Sequence, residues 1–205
     1  MTDAKREHWD EVYRTKAADS VSWYQPTPEP SLRALDEMQL PAAAALIDVG
    51  GGASSLVDCL IERGCSDLTV LDIAAPALDV AKERLQGDAI RVAWIVADVT
   101  VWRPSRRYDL WHDRAVFHFL TEPQQRLAYR RALETGTAPG SVVIIATFAP
   151  DGPERCSGLP VQRYDATALA AELGSAFALE REWREEHTTP VGGLQPFQWC
   201  VFRRR

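Results

Sequence analysis

The chain has 205 residues, of which 46% are hydrophobic and 25% are charged. This composition is typical of a globular protein with a real core, and the length favours one domain over two. The 29 acidic residues outnumber the 23 lysines and arginines, which gives a net charge of −6. Because a negative field repels polyanions, no nucleic-acid partner is expected.

Three further classes of protein are disfavoured by the sequence. No apolar run reaches the roughly 20 residues of a membrane helix, and the first residues lead into no signal peptide, so we expect a cytoplasmic protein without a membrane partner. The four cysteines, Cys59, Cys65, Cys156 and Cys200, form no CxxC motif and have no histidine at metal-ligand spacing. Neither a metal site nor a disulfide framework is therefore expected. The oligomeric state is left open.

From residue 44 onward, apolar runs alternate with amphipathic stretches, which is typical of a parallel sheet with helices on both faces. Strands are predicted at residues 44–49, 68–72, 90–97, 108–112 and 141–148. Helices are predicted at residues 55–63, 76–86, 121–135 and 165–173, with a capping box at residues 55–58 and helix stops at Gly64 and Gly87. Residues 177–188 and 195–202 are predicted to close the fold as an antiparallel pair, joined through residues 191–193.

Two segments lie outside this alternation. Residues 1–40 carry Trp9, Tyr13, Trp23 and Tyr24, and residues 149–163 form a loop rich in Pro and Gly after the fifth strand. Long loops are often functional, and this one hangs over the carboxyl edge, where open parallel sheets bind ligands. The aromatic residues are expected either in the core or in a lid over that edge. We therefore divide the single domain, residues 1–205, into a lid segment, 1–40, and a core, 44–205.

A glycine run and two acidic residues stand at the predicted strand ends. Gly50, Gly51 and Gly52 follow the first strand, where glycine permits a tight turn and the close approach of a ligand; a purely structural turn is the alternative. Asp72 ends the second strand, where a carboxylate can accept hydrogen bonds from both ribose hydroxyls of an adenosine or can cap the next helix. Asp98 follows the third strand, where it can accept from an adenine amino group.

At these residues the sequence resembles the class I S-adenosylmethionine-dependent methyltransferases, from residue 8 to residue 203. The resemblance implies an α/β Rossmann-like fold, in which a seven-stranded, mostly parallel sheet has helices on both faces and a reversed last strand. It implies S-adenosylmethionine as the cofactor, although Ser54 replaces the third glycine of the family pattern. Trp23-Tyr24-Gln25 also resembles the segment that closes over the cofactor in small bacterial members. The cofactor-binding residues implied are Trp23, Asp48, Gly50, Gly51, Gly52, Asp72, Ile73, Asp98, Val99 and His112.

In this family, the segment after the fourth strand, here residues 112–119, lies beside the cofactor and the acceptor. His118 can take a proton from an incoming amine, hydroxyl or thiol, or it can be a packed core histidine. Asp113 is the second candidate catalytic residue, unless it pairs with Arg114 or caps a helix. Cys156 has no partner that would stabilise a thiolate, so it is expected to be inert. Candidate substrate-binding residues are Tyr24, Arg155 and Arg163, of which the arginines suit an anionic acceptor or simply face solvent.

The combined features predict an enzyme that transfers a methyl group by in-line displacement to a small-molecule nucleophile. The identity of the acceptor, and whether N, O or S is methylated, is left open. A protein-lysine methyltransferase of the same fold is the main alternative. An NAD-dependent oxidoreductase is less favoured, because its motif needs glycine where Ser55 stands. A non-catalytic cofactor-binding module is the remaining alternative.

Overall fold

The computed structural model describes the backbone of residues 2–205 and the side chains from residue 4 onward. The strands are β1 (Ala45–Val49), β2 (Asp67–Asp72), β3 (Val92–Val96), β4 (Tyr108–Arg114), β5 (Thr137–Phe148), β6 (Arg155–Cys156), β7 (Leu159–Pro160), β8 (Phe177–Thr188) and β9 (Leu194–Arg204). The helices are α1 (Thr2–Thr15), α2 (Glu29–Met38), α3 (Leu56–Glu62), α4 (Ala75–Leu85), α5 (Pro123–Gly136) and α6 (Ala166–Leu173). Short 3₁₀ turns occupy Gln86–Arg91 and Phe117–Phe119.

Seven of the strands form one sheet in the order β3-β2-β1-β4-β5-β9-β8, and β6 and β7 form a separate small hairpin. Strands β1 to β5 are parallel, whereas β9 is antiparallel to both β5 and β8. This is the expected seven-stranded sheet with a reversed last strand, so the predicted fold class is confirmed. The direction of strand addition switches between β1 and β4, which opens a crevice at the carboxyl ends of these strands.

Helices cover both faces of the sheet because its central strands are apolar on both sides. Alternate residues of β1 separate into two clusters: Ile47 packs on one face with Leu133 of α5, and Leu46 packs on the other face with Leu60 of α3. All four side chains are buried. The continuous apolar runs seen in the sequence are therefore buried on two faces.

Several predicted boundaries are corrected. Strand β3 begins at Val92 rather than 90, because residues 86–91 turn as a 3₁₀ helix and leave Ile90 92% exposed. Helix α4 is capped by Gln86, with φ 52°, rather than stopped by Gly87. Strands β4 and β5 are longer than expected, and a bulge between Tyr108 and Leu110 lets the early part of β5 stay paired. Each correction lies at the end of an element, where tertiary pairing decides the boundary.

The start of α3 also differs from the prediction. Ser55 makes no side-chain cap; its hydroxyl donates to the Pro26 carbonyl at 3.3 Å, so the predicted capping box is wrong. The Leu56 N–H donates instead to Ser54 Oγ at 3.1 Å. A capping box does open α5, between Glu122 and Gln125.

The segment before β1 contains two helices, α1 and α2, of which α2 was not predicted from the sequence. On α1, Trp9 packs edge to face on Trp23 at 5.5 Å and on Phe119 at 5.1 Å. Helix α2 follows Pro28 and buries Leu32 and Ala34. No helix within residues 2–205 has the length and apolar content needed to cross a membrane.

Candidate active site

A cleft of about 900 Å³, including its open mouth, lies at the carboxyl ends of β1, β2, β3 and β4. Its roof is formed by α1, through Lys5, Trp9 and Tyr13. A second cavity of about 600 Å³ continues from it between the glycine turn and the segment that follows α1. Because Gly50 and Arg114 line both, the two cavities form one site.

The glycine turn can carry no side chains. Gly50 and Gly52 have φ values of +73° and +41°, which favour glycine. A Cβ on Gly50 would lie 2.0 Å from Val116 Cγ2, one on Gly51 would lie 2.5 Å from Asp48 Oδ2, and one on Gly52 would lie 2.8 Å from Asp72 Oδ2. The bare backbone therefore packs directly against Val116 and two carboxylates, and a side chain at any of the three glycines would have to displace one of them.

Asp48 is held by a buried chain of hydrogen bonds. It pairs across the sheet with His112, whose Nδ1 lies 2.7 Å from Asp48 Oδ1, while His112 Nε2 lies 3.0 Å from Ser31 Oγ. In the neutral form of His112, Nδ1–H donates to the Asp48 carboxylate and Nε2 accepts the Ser31 hydroxyl. Helix α2 is thereby fixed to β1 and β4. Ser31 was not found from the sequence, because its partner is 81 residues away.

Asp72 stands at the end of β2, inside the cleft. Its Oδ1 accepts the Ala74 N–H at 2.8 Å, which is the helix-capping role considered above. Its side chain also lines the cleft, so the capping hydrogen bond does not remove the carboxylate from the site. Burial, followed by the negative charge of Asp48, raises the pKa of Asp72 to about 7. Tyr13 packs nearby, and burial together with the charge of Asp72 raises the pKa of its hydroxyl well above the usual value.

The part of the cleft that follows β2 and β3 is lined by one carboxylate and by apolar side chains. Ile73, Val99 and Asp98 line it, and Asp98 Oδ1 accepts hydrogen bonds from the N–H and the hydroxyl of Thr100 at 2.8 and 2.7 Å. Lys5 donates to the Phe119 carbonyl at 3.1 Å, and partial burial lowers the pKa of its amine, against the opposing charge of Asp98. This wall therefore combines apolar side chains with one carboxylate and one amine.

Arg114 ends β4 and lines both cavities. Its Nη1 donates to the Trp23 carbonyl at 3.1 Å, and its guanidinium carbon lies 4.7 Å from the centre of the Phe197 ring. Its Nε and Nη2 atoms are shielded from solvent and find no hydrogen-bond partner among residues 4–205. Burial lowers the pKa of Arg114, although the charge of Glu185 opposes the shift. The sequence analysis weighed Arg114 only as a partner of Asp113.

The two candidate catalytic residues line neither cavity. His118 is fully buried, and its Nδ1 accepts the Phe148 N–H at 3.3 Å. Burial, and then the charge of Arg114, lowers the pKa of His118 to about 3. Asp113 accepts the Val116 N–H at 2.8 Å and the Tyr129 hydroxyl at 2.7 Å, and burial raises its pKa to about 6. In this structure both side chains act within the scaffold.

Of the three candidate substrate-binding residues, one lines the site and two do not. Tyr24 lines the second cavity. Arg155 donates to the Gly158 carbonyl, and Arg163 donates to the Gly152 carbonyl at 3.0 Å, so both hold the loop of residues 149–163 together and line neither cavity. The loop contributes Cys156 to the cleft instead, and burial raises the pKa of this thiol to about 11.

Of the residues expected to bind a cofactor, nine line one or both cavities: Trp23, Asp48, Gly50, Gly51, Asp72, Ile73, Asp98, Val99 and His112. Gly52 lines neither cavity, but it lies against the Asp72 carboxylate. The structure thus brings together residues from the ends of four strands and from the segment before β1.

The chain is similar in sequence to known methyltransferases. Residues 46–139 match a family model described as a methyltransferase domain. A malonyl-[acyl-carrier protein] O-methyltransferase from Anoxybacillus flavithermus is 29% identical over 73% of this chain and 57% of its own length. A trans-aconitate 2-methyltransferase from Rhizobium etli is 30% identical over 57% of this chain and 43% of its own length. The chain thus spans about half the length of these curated relatives.

Solved structures resemble the chain over nearly its whole length. One structure comes from work on the conversion of a disulfide bond into a thioacetal group during echinomycin biosynthesis. Its TM-score is 0.78 at 22% identity, over 97% of this chain and 92% of that chain. An S-adenosylmethionine-dependent methyltransferase from Anabaena variabilis has a TM-score of 0.76 at 12% identity, over 100% and 95% of the two chains. At these sequence identities, the similarity concerns the fold alone.

Proposed function

We propose that this chain, which belongs to the class I S-adenosylmethionine-dependent methyltransferases, transfers a methyl group from that cofactor to a small-molecule nucleophile. The observation that carries the proposal is Asp72, whose buried carboxylate lines the cleft directly beside a glycine turn that can bear no side chain. One relative is named for trans-aconitate, which supports a small acceptor.

The residues of the site fit this cofactor. Asp72 offers an oxygen to a ribose, Ile73 and Val99 form an apolar wall for an adenine, and Asp98 lies beside them. The bare glycine turn and the Asp48–His112 pair lie where the amino-acid end would be held. When bound, S-adenosylmethionine supplies a methyl group on a positively charged sulfur, and the electron pair of the broken C–S bond stays on sulfur.

The protein's own contribution is alignment and the exclusion of water. Trp9, Tyr13 and Trp23 form an aromatic roof over the cleft. Tyr13 and Cys156 have raised pKa values and stay protonated at neutral pH, so neither acts as a base. We assign His118 and Asp113 to the scaffold rather than to catalysis, because each is buried outside the cavity lining.

Calorimetric titration tests the cofactor assignment. We expect S-adenosylmethionine and S-adenosylhomocysteine to bind and NAD to bind far more weakly. Selective binding of NAD would contradict the proposal and favour an oxidoreductase. The reversed strand β9 already separates this sheet from the all-parallel dinucleotide-binding arrangement.

A second experiment tests the acceptor class. Radiolabelled S-adenosylmethionine is incubated with the protein and a cell lysate that has been divided by size into metabolites and macromolecules. Because α1 and the loop of residues 149–163 both contribute to the cleft lining, we expect enzyme-dependent label among the metabolites. Label found only on a protein would support the lysine methyltransferase alternative.

A further inference from the structure

Arg114 is a cation in the wall of the cleft whose hydrogen-bonding capacity is mostly unused. Guanidinium groups that are removed from water normally pair with a carboxylate or satisfy their N–H groups otherwise, since an unpaired buried charge is costly. Among residues 4–205, only Nη1 of Arg114 has a hydrogen-bond partner, the Trp23 carbonyl. We propose that Arg114 binds the carboxylate of the methyl acceptor, so that the substrates of this enzyme are small organic acids. The inference rests on the proposed function.

The geometry of the guanidinium favours a carboxylate as the missing partner. Nε and Nη2, the two unpartnered nitrogens, lie on the same edge of the group. That edge presents two parallel N–H donors, which match the two oxygens of a carboxylate. One face of the group is covered by the Phe197 ring, and the two unpartnered N–H groups point along the edge, in the guanidinium plane.

The neighbouring carboxylates of the protein do not take this place. Glu185 lowers the cost of the buried charge, but its Oε2 accepts the Trp199 indole N–H at 2.6 Å and its Oε1 accepts the Gln25 amide at 3.3 Å. Asp48 is bonded to His112. Arg114 is therefore stabilised electrostatically by two anions, yet two of its buried donors have no partner among residues 4–205.

The position of Arg114 points to the acceptor rather than to the adenosine. The ribose carboxylate Asp72 ends β2, and β1 lies between β2 and β4 in the sheet. On the other side of Arg114, the cleft is closed by Phe148, Phe197 and Cys156, from β5, β9 and the loop after β5. Gln195 joins this wall, and its Oε1 atom also has no hydrogen-bond partner among the described residues. None of these four residues is among those expected to bind the cofactor, so this part of the cleft is assigned to the acceptor.

The test compares wild type with Arg114→Gln and, as a matched control, Arg131→Gln, which removes an exposed arginine on α5. A metabolite pool is divided on an anion exchanger at pH 7, and each fraction is offered with labelled S-adenosylmethionine. We expect label in acceptors from the retained, anionic fraction. Arg114→Gln should reduce this transfer by about tenfold or more, mainly through KM, because a charge-assisted pair is lost. Arg131→Gln should match wild type.

Calorimetry distinguishes the acceptor from the cofactor as the source of the carboxylate. Arg114→Gln is titrated with S-adenosylhomocysteine and with 5′-methylthioadenosine, which lacks the amino-acid part. We expect both dissociation constants to stay within about twofold of wild type. A large loss for S-adenosylhomocysteine alone would place the cofactor's own carboxylate on Arg114 and overturn the inference.

The remaining outcomes are also decisive. Label confined to the unretained fraction overturns the inference and leaves the proposed function standing, whereas no label in any fraction contradicts both. Thermal unfolding of Arg114→Gln and Arg114→Met provides the folding control. Because an unpaired buried charge is removed, we expect midpoints at or above wild type. Lower midpoints together with lost S-adenosylhomocysteine binding in both variants would show a structural role and overturn the inference.

Discussion

Protonation of Asp72 should control how tightly the cofactor binds. Burial raises the pKa of this carboxyl to about 7, so the group titrates near neutral pH. The ionised form can accept hydrogen bonds from both ribose hydroxyls, whereas a protonated acid loses part of this capacity. With that pKa, about nine-tenths of Asp72 is ionised at pH 8 and about one-tenth at pH 6. We therefore expect affinity to fall by about tenfold between these values, or about 1.4 kcal/mol.

Calorimetry with S-adenosylhomocysteine from pH 6 to pH 8 measures this effect. Hydrogen bonds from the ribose stabilise the charged form, so binding near pH 7 should release protons, which is detected by repeating the titration in buffers of different ionisation enthalpy. Asp72→Asn should abolish the pH dependence and weaken binding at pH 8 by about 1.5–3 kcal/mol. Asp79→Asn, an exposed carboxylate on α4, is the control. A wild-type affinity that is constant over this range would refute the reasoning.

Ionisation of Asp72, which should strengthen cofactor binding, should lower the stability of the protein without cofactor. The folded pKa of Asp72 lies above the unfolded value of 3.8, so the folded state binds the extra proton between about pH 4 and pH 7. The contribution of Asp72 to the free energy of unfolding therefore falls as the pH rises through this window. At pH 8, Asp72→Asn should unfold at a higher urea concentration than wild type, although it binds the cofactor less well.

Three further predictions concern the turn, the scaffold and the roof. Gly50→Ala should lower both cofactor affinity and stability, the latter by about 1–3 kcal/mol in urea denaturation, because its Cβ overlaps Val116; an unchanged stability would show that Val116 can move away. Tyr129→Phe should cost about 1–2 kcal/mol, since Asp113 loses a buried donor, and methyl transfer at low temperature should persist. Deleting residues 1–28 should leave the circular dichroism of a folded sheet but abolish turnover, whereas global unfolding would assign the aromatic residues of the roof to the core.

The central sheet and the glycine turn could be predicted from the sequence because their signals are local. An apolar strand, a glycine run and the helix that follows are contiguous in β1 and α3, and Asp72 ends the next apolar strand. The antiparallel pair β8 and β9 was predicted with nearly correct bounds, since its turn lies within the sequence between them. These features depend on neighbouring residues and on strand period.

The parts that were missed depend on contacts between distant residues. The hydrogen bond from Ser31 to His112 decides where α2 packs, and it joins segments 81 residues apart. The internal bonds of Arg155 and Arg163 depend on how the loop of residues 149–163 folds on itself. Charge and position in the sequence made these arginines candidates for substrate binding, while the arginine that lines the cleft was overlooked.

Strand period offers a way to sort the three consecutive polar residues at the end of β4. Side chains alternate between the faces of a sheet, so His112 and Arg114 share a face with Leu110, which belongs to the α3 cluster. Asp113 shares the opposite face with Trp111, beneath α5, and there it meets Tyr129. The glycine turn follows Asp48, which is paired with His112.

The alternation of side chains along β4 therefore assigns Asp113 to the scaffold. Hydrogen bonding then distinguishes His112 from Arg114. His112 is bonded at both ring nitrogens, to Asp48 and Ser31, so its polar groups are fully used inside the protein. Arg114 has two buried donors without a hydrogen-bond partner in the part of the chain that the structure describes. A buried charge without a partner lowers the stability of the fold unless a ligand pairs with it. Proteins commonly give up stability in this way at ligand-binding sites. Of the polar side chains at the end of β4, Arg114 is thus the one that the fold leaves for the substrate.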